Sequence, residues 1–224
     1  MKSILQHKFE DLISIDNLLL AWQEFIKGKR NKKDVQEFAF YLKCDIKKFF
    51  ASVDQLTLIK ILQKHVVDKD ILNLLQEIIF SFKPNGLPLG NLTSQLFANV
   101  YLNEFDQFIK HKLKIKYSIR YADDFVVLSE DRKYLQNITP LIGDFLQNEL
   151  KLTLHPDKIF IKTLPSGIDF LGWVNFKDHR ILRIKTKKRM LKRIKKNSSR
   201  ETLNSYLGLL KHGNTKIIQS KFFN

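Results

Sequence analysis

Apolar residues recur along residues 11–27 at Leu12, Ile13, Ile15, Leu18, Leu19, Leu20, Trp22, Phe25 and Ile26, a spacing that predicts a helix. A polar stretch from Lys27 to Asp34 follows, and Phe38-Ala-Phe-Tyr-Leu-Lys-Cys-Asp-Ile then reads as a strand ending near Asp45. Residues 54–65 and 69–82 carry helical periodicity, the second run stopping before the turn cluster Lys83-Pro84-Asn85-Gly86. A long amphipathic helix is predicted from Asn91 to about Lys114, with Asn91 or Thr93 as its N-cap.

Tyr117-Ser-Ile-Arg-Tyr and Phe125-Val-Val-Leu are β-type runs flanking Ala122-Asp123-Asp124, which predicts a hairpin with acids at its tip. Residues 131–150 return to helix, interrupted or restarted at Pro140. Short strands are expected around 152–154 and 158–162, then a hairpin of Ile168–Phe176 with Arg180–Ile184. The end, Lys185 to about His212, reads as basic helix. There is no internal repeat and no regular βαβ alternation. An α+β fold, an antiparallel sheet with helices on one face, is the natural solution.

Composition sharpens this picture. The chain has 224 residues, 44% of them hydrophobic and 12% aromatic, which supplies a core and excludes general disorder. The single cysteine, Cys44, excludes a disulfide framework and a multi-cysteine zinc site and fits a reducing cytoplasm. No apolar run approaches the ~18 residues of a membrane span, and the N-terminus turns polar too soon for a secretory signal. A soluble, cytoplasmic protein with no membrane partner is expected. The six histidines show no metal-ligand spacing.

With 39 Lys+Arg against 23 Asp+Glu, the formal charge is +16, which points to a polyanion. Ten basic residues and no acid lie between Arg183 and Arg200, among them Lys185, Lys187, Lys188, Arg189, Lys192, Arg193, Lys195 and Lys196. Ile184, Met190, Leu191 and Ile194 make too thin a stripe for membrane insertion. The run is either a phosphate-binding helix or a solvated face; in the first case binding weakens steeply with salt.

Against that background the Asp123-Asp124 pair stands out. Adjacent carboxylates repel unless a cation or solvent screens them. If the strand ending at Asp45 neighbours this hairpin, three carboxylates converge at one end of the sheet. Such hard oxygen donors suit Mg²⁺, and two ions there could clamp the oxygens of a phosphoryl displacement. The alternative is an ordinary polar turn, since Asp is a favoured turn residue. A Tyr-x-Asp-Asp string arises by chance in roughly one or two of every hundred chains of this length.

The neighbouring motifs separate these readings. Asp45-Ile-Lys-Lys-Phe-Phe-Ala-Ser-Val-Asp, Gly86-Leu-Pro-Leu-Gly-Asn-Leu-Thr-Ser-Gln, Tyr121-Ala-Asp-Asp and Phe170-Leu-Gly-Trp occur in the order of reverse transcriptase palm motifs A, B, C and E. The resemblance runs from about residue 41 to 212. Leu89-Gly90-Asn-Leu-Thr-Ser94-Gln95 and the N-terminal Leu19-Leu-Ala-Trp22, Gly28-Lys-Arg30 and Val35-Gln-Glu-Phe38 resemble the diversity-generating retroelement branch.

The resemblance implies an RNA-directed DNA polymerase with a palm and a C-terminal basic, thumb-like helical segment. Asp45, Asp123 and Asp124 would be its catalytic, metal-binding triad, holding two Mg²⁺ ions, with Mn²⁺ as the substitute. Phe50 matches a steric gate against ribonucleotides, or packs in the core. Leu89, Gly90, Ser94 and Gln95 would lie near the incoming nucleotide, Leu89 standing where most relatives carry Gln, a change that goes with relaxed fidelity opposite template adenine. Gln95 reads equally as a helix-surface residue. Lys158 resembles a motif D lysine, a candidate general acid for pyrophosphate, or is a surface lysine. Phe170, Leu171, Gly172 and Trp173 would form the primer grip. The implied partners are template RNA, primer or product DNA, deoxynucleoside triphosphates and a basic accessory protein.

Three segments are expected: an N-terminal helical segment over 1–38, a palm over 39–184 and a thumb-like region over 185–224. Val35-Gln-Glu-Phe-Ala-Phe passes almost directly into Tyr41-Leu-Lys-Cys-Asp45 where the family has its fingers, a pattern that suggests an internal deletion. Loss of the fingers would remove a cationic clamp on the triphosphate. The readings are therefore an active polymerase, a remnant that binds nucleic acid without polymerising, or a subunit whose fingers come from another chain.

Overall fold

The computed structural model describes residues 40–82, 85–177, 179–197, 199–211 and 213–223. The helix predicted over 11–27 and the segment 1–38 lie outside them. The described chain falls into two compact units that divide between Ile161 and Lys162.

The first unit opens with β1, Phe40–Asp45. A one-turn helix α1 (Phe49–Ser52), α2 (Gln55–Gln63), α3 (Lys69–Phe80) and α4 (Leu92–Gln107) follow. α4 runs on into a single π-helical turn over Phe108–Lys112, close to the predicted end near Lys114. Then come the hairpin strands β2 (Ser118–Tyr121) and β3 (Asp124–Ser129), the helix α5 (Arg132–Leu150), a 3₁₀ turn at Pro156–Lys158 and β4 (Phe160–Thr163), whose last two residues lie past the division. The sheet order is β2-β3-β1-β4. Antiparallel pairing of β1 with β3 runs from Phe40↔Ser129 to Asp45↔Asp124.

Side-chain alternation sorts this sheet. Leu42 and Cys44 pair with Val127 and Phe125 on one face and join a core built with Leu58, Phe97, Tyr101, Phe105, Leu135, Ile142 and Leu146 from the helices. Cap residues set where the helices begin. The Asp54 carboxylate accepts from the Thr57 N–H, Asp68 from those of Asp70 and Ile71, and Asp131 from that of Lys133. Asn91 is the N-cap of α4 but its side chain makes no capping bond.

Pro140 does not interrupt α5, contrary to the sequence expectation. A mid-helix proline costs about 3 kcal/mol. Leu135, Ile138, Ile142, Leu146 and Leu150 form one buried stripe on both sides of it, which outweighs that cost, while Gln136, whose carbonyl loses its partner, is exposed to water. Of the strand expected at 152–154, only an Ile46↔Leu154 bridge forms.

The second unit holds an antiparallel meander, β5 (Ile168–Phe170), β6 (Trp173–Asn175) and β7 (Arg180–Leu182). The single strand expected over 168–176 is two, because Leu171 (φ 52°) and Gly172 (φ 83°) make a two-residue turn. The basic end is three helices, α6 (Ile184–Lys196), α7 (Arg200–Leu210) and α8 (Lys216–Phe223). Ser199 caps α7, which explains the break in the predicted run. No helix among the described residues is long and apolar enough to cross a membrane.

Candidate active site at the end of the central strands

β1 ends on Asp45, β3 begins on Asp124, and the two are direct cross-strand partners. Lys43 and Asp45 share a face with Asp124, opposite to the face that enters the helical core. Asp123 occupies the hairpin tip beside Ala122, whose φ of 49° is left-handed, a conformation alanine rarely takes. The Ile46 N–H donates to the Asp123 carbonyl at 3.0 Å and ties this tip to the end of β1.

Arg120 bolts the tip to α4. Its Nε donates to Asp106 Oδ1 at 2.7 Å, Nη2 donates to Oδ2 of the same carboxylate, and Nη1 donates to the Ala122 carbonyl at 3.1 Å. A planar guanidinium reaches these three acceptors along the separate arms of its fork, whereas an ammonium offers its three donors from a single point. Leu92 and Thr93 open the same helix that carries Asp106, so the helix that follows the Gly86–Asn91 loop also anchors the hairpin tip.

The site's electrostatics follow from burial. Asp124 is pushed up to about 6, first by burial and then by the charges of Asp45 and Asp123, while Lys43 opposes the rise. Burial also raises Asp123, with Asp45 adding to it. Cys44, wholly buried beside them, is pushed up to about 12 by burial and by the Asp124 charge.

Two lysines answer this negative charge. Lys43 Nζ lies 3.0 Å from Asp124 Oδ2, and Lys158 Nζ lies 2.9 Å from Asp45 Oδ2. Among the described residues, no three His, Cys, Asp or Glu side chains are gathered closely enough to hold a metal ion. Asp45 and Asp124 stand opposite each other with Asp123 next in the chain, but the three side chains do not form a ready cage. Their donor set still fits a hard cation: all are oxygens, and Asp124 Oδ1 is buried with no hydrogen-bond partner.

Sequence reasoning missed Lys43, Arg120 and Gln55. The signal for Lys43 was parity, two residues before Asp45 on the same strand face. Arg120 gave none, because its partner Asp106 is distant in sequence. Gln55 is buried and donates to the carbonyls of Phe82 (2.7 Å) and Gly86 (3.1 Å), clasping the loop before α4. Gly86 (φ 81°) lies against the backbone of Phe50 and Ala51, and the Leu87 N–H donates to the Phe50 carbonyl at 2.7 Å.

The other expected residues fall in varied settings. Phe49 takes the core position and Phe50, edge-to-face with it at 5.2 Å, is half-buried. Leu89 is 78% exposed, and Gly90 and Gln95 are exposed as well. Ser94 is fully buried with its hydroxyl unpartnered.

In the second unit Phe170 and Trp173 are buried, leaving the Leu171-Gly172 turn more accessible. Trp173 packs under the Arg180 guanidinium, 5.2 Å from the ring centroid, and against Gly213. On α6 the side chains of Lys185, Lys187, Lys188, Arg189, Lys192, Arg193, Lys195 and Lys196 are all exposed, while Met190 and Ile194 are buried.

A family model described as "Reverse transcriptase (RNA-dependent DNA polymerase)" matches residues 3–175. Among curated proteins, the putative COX1/OXI3 intron 2 protein of Saccharomyces cerevisiae is 22% identical over 207 residues, 63% of this chain and 24% of that protein. Protein YkfC of Escherichia coli is 26% identical, covering 62% of this chain and 46% of its own length. The group II intron-encoded protein LtrA of Lactococcus lactis is 27% identical, covering 57% of this chain and 20% of its own length. The chain thus spans less than half the length of these relatives. A telomerase structure from Candida albicans matches the fold with a TM-score of 0.58 at 13% identity, over 82% of this chain and 38% of that one.

Proposed function

This chain belongs to the reverse transcriptase (RNA-dependent DNA polymerase) family, and from that premise we propose that it adds deoxynucleotides to a primer 3′ end on an RNA template. The observation that carries the reading is the register of β1 on β3, which sets Asp45 opposite Asp124 with Asp123 at the adjoining tip. These three carboxylates would hold two Mg²⁺ ions, or Mn²⁺ in their place. When bound, the ions supply Lewis-acid activation of the primer hydroxyl and neutralise triphosphate charge.

The remaining roles belong to the chain's own residues. Arg120 holds the hairpin tip at a fixed depth beside β1. Phe50, half-buried on a helix braced by Gly86 and Leu87, is the ring against which a deoxyribose packs. Lys158 is the candidate proton donor to the leaving pyrophosphate. The Leu171-Gly172 turn brings backbone close to the primer, with Phe170 and Trp173 anchoring it from below. The exposed basic face of α6 meets duplex phosphates. The surrounding Leu89-Gly90-Asn91-Leu92-Thr93-Ser94-Gln95 supports the diversity-generating retroelement type, for which misincorporation opposite template adenine is the expected signature. A basic accessory protein is the further partner this type implies, and a palm over 39–184 followed by a thumb-like region over 185–224 remains the domain division we propose.

Primer extension on an RNA template–DNA primer duplex with Mg²⁺ and deoxynucleoside triphosphates tests the reading. The parent extends and the Asp123→Ala, Asp124→Ala double variant does not; extension by the double variant at the parental rate removes the carboxylates from the chemistry. One observation favours a second reading, a remnant that binds nucleic acid without polymerising: two of the three carboxylates are already engaged by lysines. Duplex binding by both proteins with extension by neither selects it.

A further inference from the structure

We infer that Lys158 is the resident counter-ion of Asp45 and that a divalent cation must displace it, so that cation entry and lysine release are a single exchange. The inference rests on the metal-holding role proposed above for Asp45, Asp123 and Asp124.

The pairing is imposed by backbone. The His155 N–H donates to the Asp45 carbonyl at 2.8 Å, and the Lys158 N–H donates to the His155 carbonyl at 3.0 Å. The 3₁₀ turn Pro156–Lys158 is thereby docked beside the end of β1. From that turn Lys158 Nζ reaches Asp45 Oδ2 at 2.9 Å. A cation seeking that oxygen meets an ammonium already on it.

The two site lysines differ in a way that assigns them different parts. Lys43 has a side chain only 16% exposed and holds one oxygen of Asp124, leaving the buried Oδ1 without a partner. Lys158 is 48% exposed on the rim. Lys43 is the fixed orienting partner and Lys158 the exchangeable one. Charge counting agrees for the first ion to enter, before a triphosphate adds its own negative charge: three carboxylates balance one lysine plus one divalent ion, whereas retaining both lysines would leave a positive excess that repels the incoming cation. The lysine end stands half in water although Asp45 is only 19% exposed, so the pair contributes about 1 kcal/mol and a divalent ion can displace the ammonium. Once freed, the ammonium stands at the rim where an anionic phosphate would arrive.

The test is direct titration of the full chain with Mn²⁺ and with Mg²⁺, no nucleotide present, by calorimetry. Lys158→Met is expected to lower the dissociation constant about two- to fivefold, the factor that loss of a competitor worth up to about 1 kcal/mol produces. Lys158→Arg, which keeps the competing charge, stays within about twofold of the parent.

A second measurement reads the lysine itself. Acylation of Lys158, scored by mass spectrometry against Lys60 on the exposed face of α2, rises when Mn²⁺ saturates the parent. In Asp45→Asn it is already high without the ion. An unchanged or weaker affinity in Lys158→Met, or Lys158 acylation indifferent to saturating Mn²⁺, overturns the exchange while leaving the metal site standing. If the parent takes up neither ion, the metal-site reading falls along with it.

Discussion

Replacing Arg120 with methionine removes three donors at once, and the structure sets the scale of the loss. The Arg120 side chain is 13% exposed and its partner Asp106 44% exposed. Stripping one partner from a fully buried ion pair costs about 3–5 kcal/mol. Asp106 can rehydrate, which reduces that part to about 1–2 kcal/mol, and the lost bond to the Ala122 carbonyl adds about 1 kcal/mol. The expected destabilisation is about 2–3 kcal/mol. In urea, with a slope of about 2 kcal/mol per molar, the midpoint of the circular dichroism transition falls by about 1–1.5 M. Arg120→Lys keeps the charge without the fork and recovers about half of the loss. Swapping the pair, Arg120→Asp with Asp106→Arg, restores the ion pair but leaves the Ala122 carbonyl unserved, so stability returns further than primer extension does. An Arg120→Met midpoint within about 0.2 M of the parent would show that the hairpin tip is held by something else.

Three further outcomes are expected. Gly86→Ala places a Cβ 2.5 Å from the Phe50 carbonyl oxygen at a φ of +81°; unfolding should show a loss of about 2–4 kcal/mol, and an unchanged transition would mean that the loop does not brace α1. Tyr101 donates to the Leu150 carbonyl at 2.6 Å and is pushed up to about 12 by burial. Because the folded value lies above the unfolded value near 10, its contribution is intact below pH 10 and lost as pH rises toward 12. Tyr101→Phe should cost about 1–2 kcal/mol at neutral pH and flatten that alkaline decline; a decline identical to the parent's assigns it to other groups. Changing Lys187, Lys188, Lys192 and Lys195 on α6 to Gln should lower the log–log salt slope of duplex binding by up to about 0.9 per lost phosphate contact without altering urea stability, and an unchanged slope excludes this face from the interface.

What the chain revealed before folding, and what it hid, divides along physical lines. Strands β1 and β3 were legible because each is a short apolar run bounded by acids, and period-two alternation then decides which side chains share a face. That carried the approach of Asp45 to Asp124. Helix α5 was legible in extent but not in continuity: local propensity counts Pro140 against it, while the buried stripe from Leu135 to Leu150 is a tertiary quantity. The split of 168–176 into two strands turned on Leu171 accepting a left-handed conformation, which leucine identity does not advertise. The bonds that position the site were the least visible. Arg120 to Asp106 and Lys158 to Asp45 join residues far apart in sequence, and the pairing of two common charged types cannot be read until the chain has folded.

The alternation of β1 has a consequence for how this chain can change over time. Gaining or losing one residue between Phe40 and Asp45 would turn Asp45 inward among the apolar side chains and send Cys44 or Leu42 out to where charge is needed. Both the hydrophobic interior and the acidic end would fail together, from a single codon. Loops here have latitude in length, but this six-residue strand is length-locked, and surviving insertions or deletions within it should come in twos.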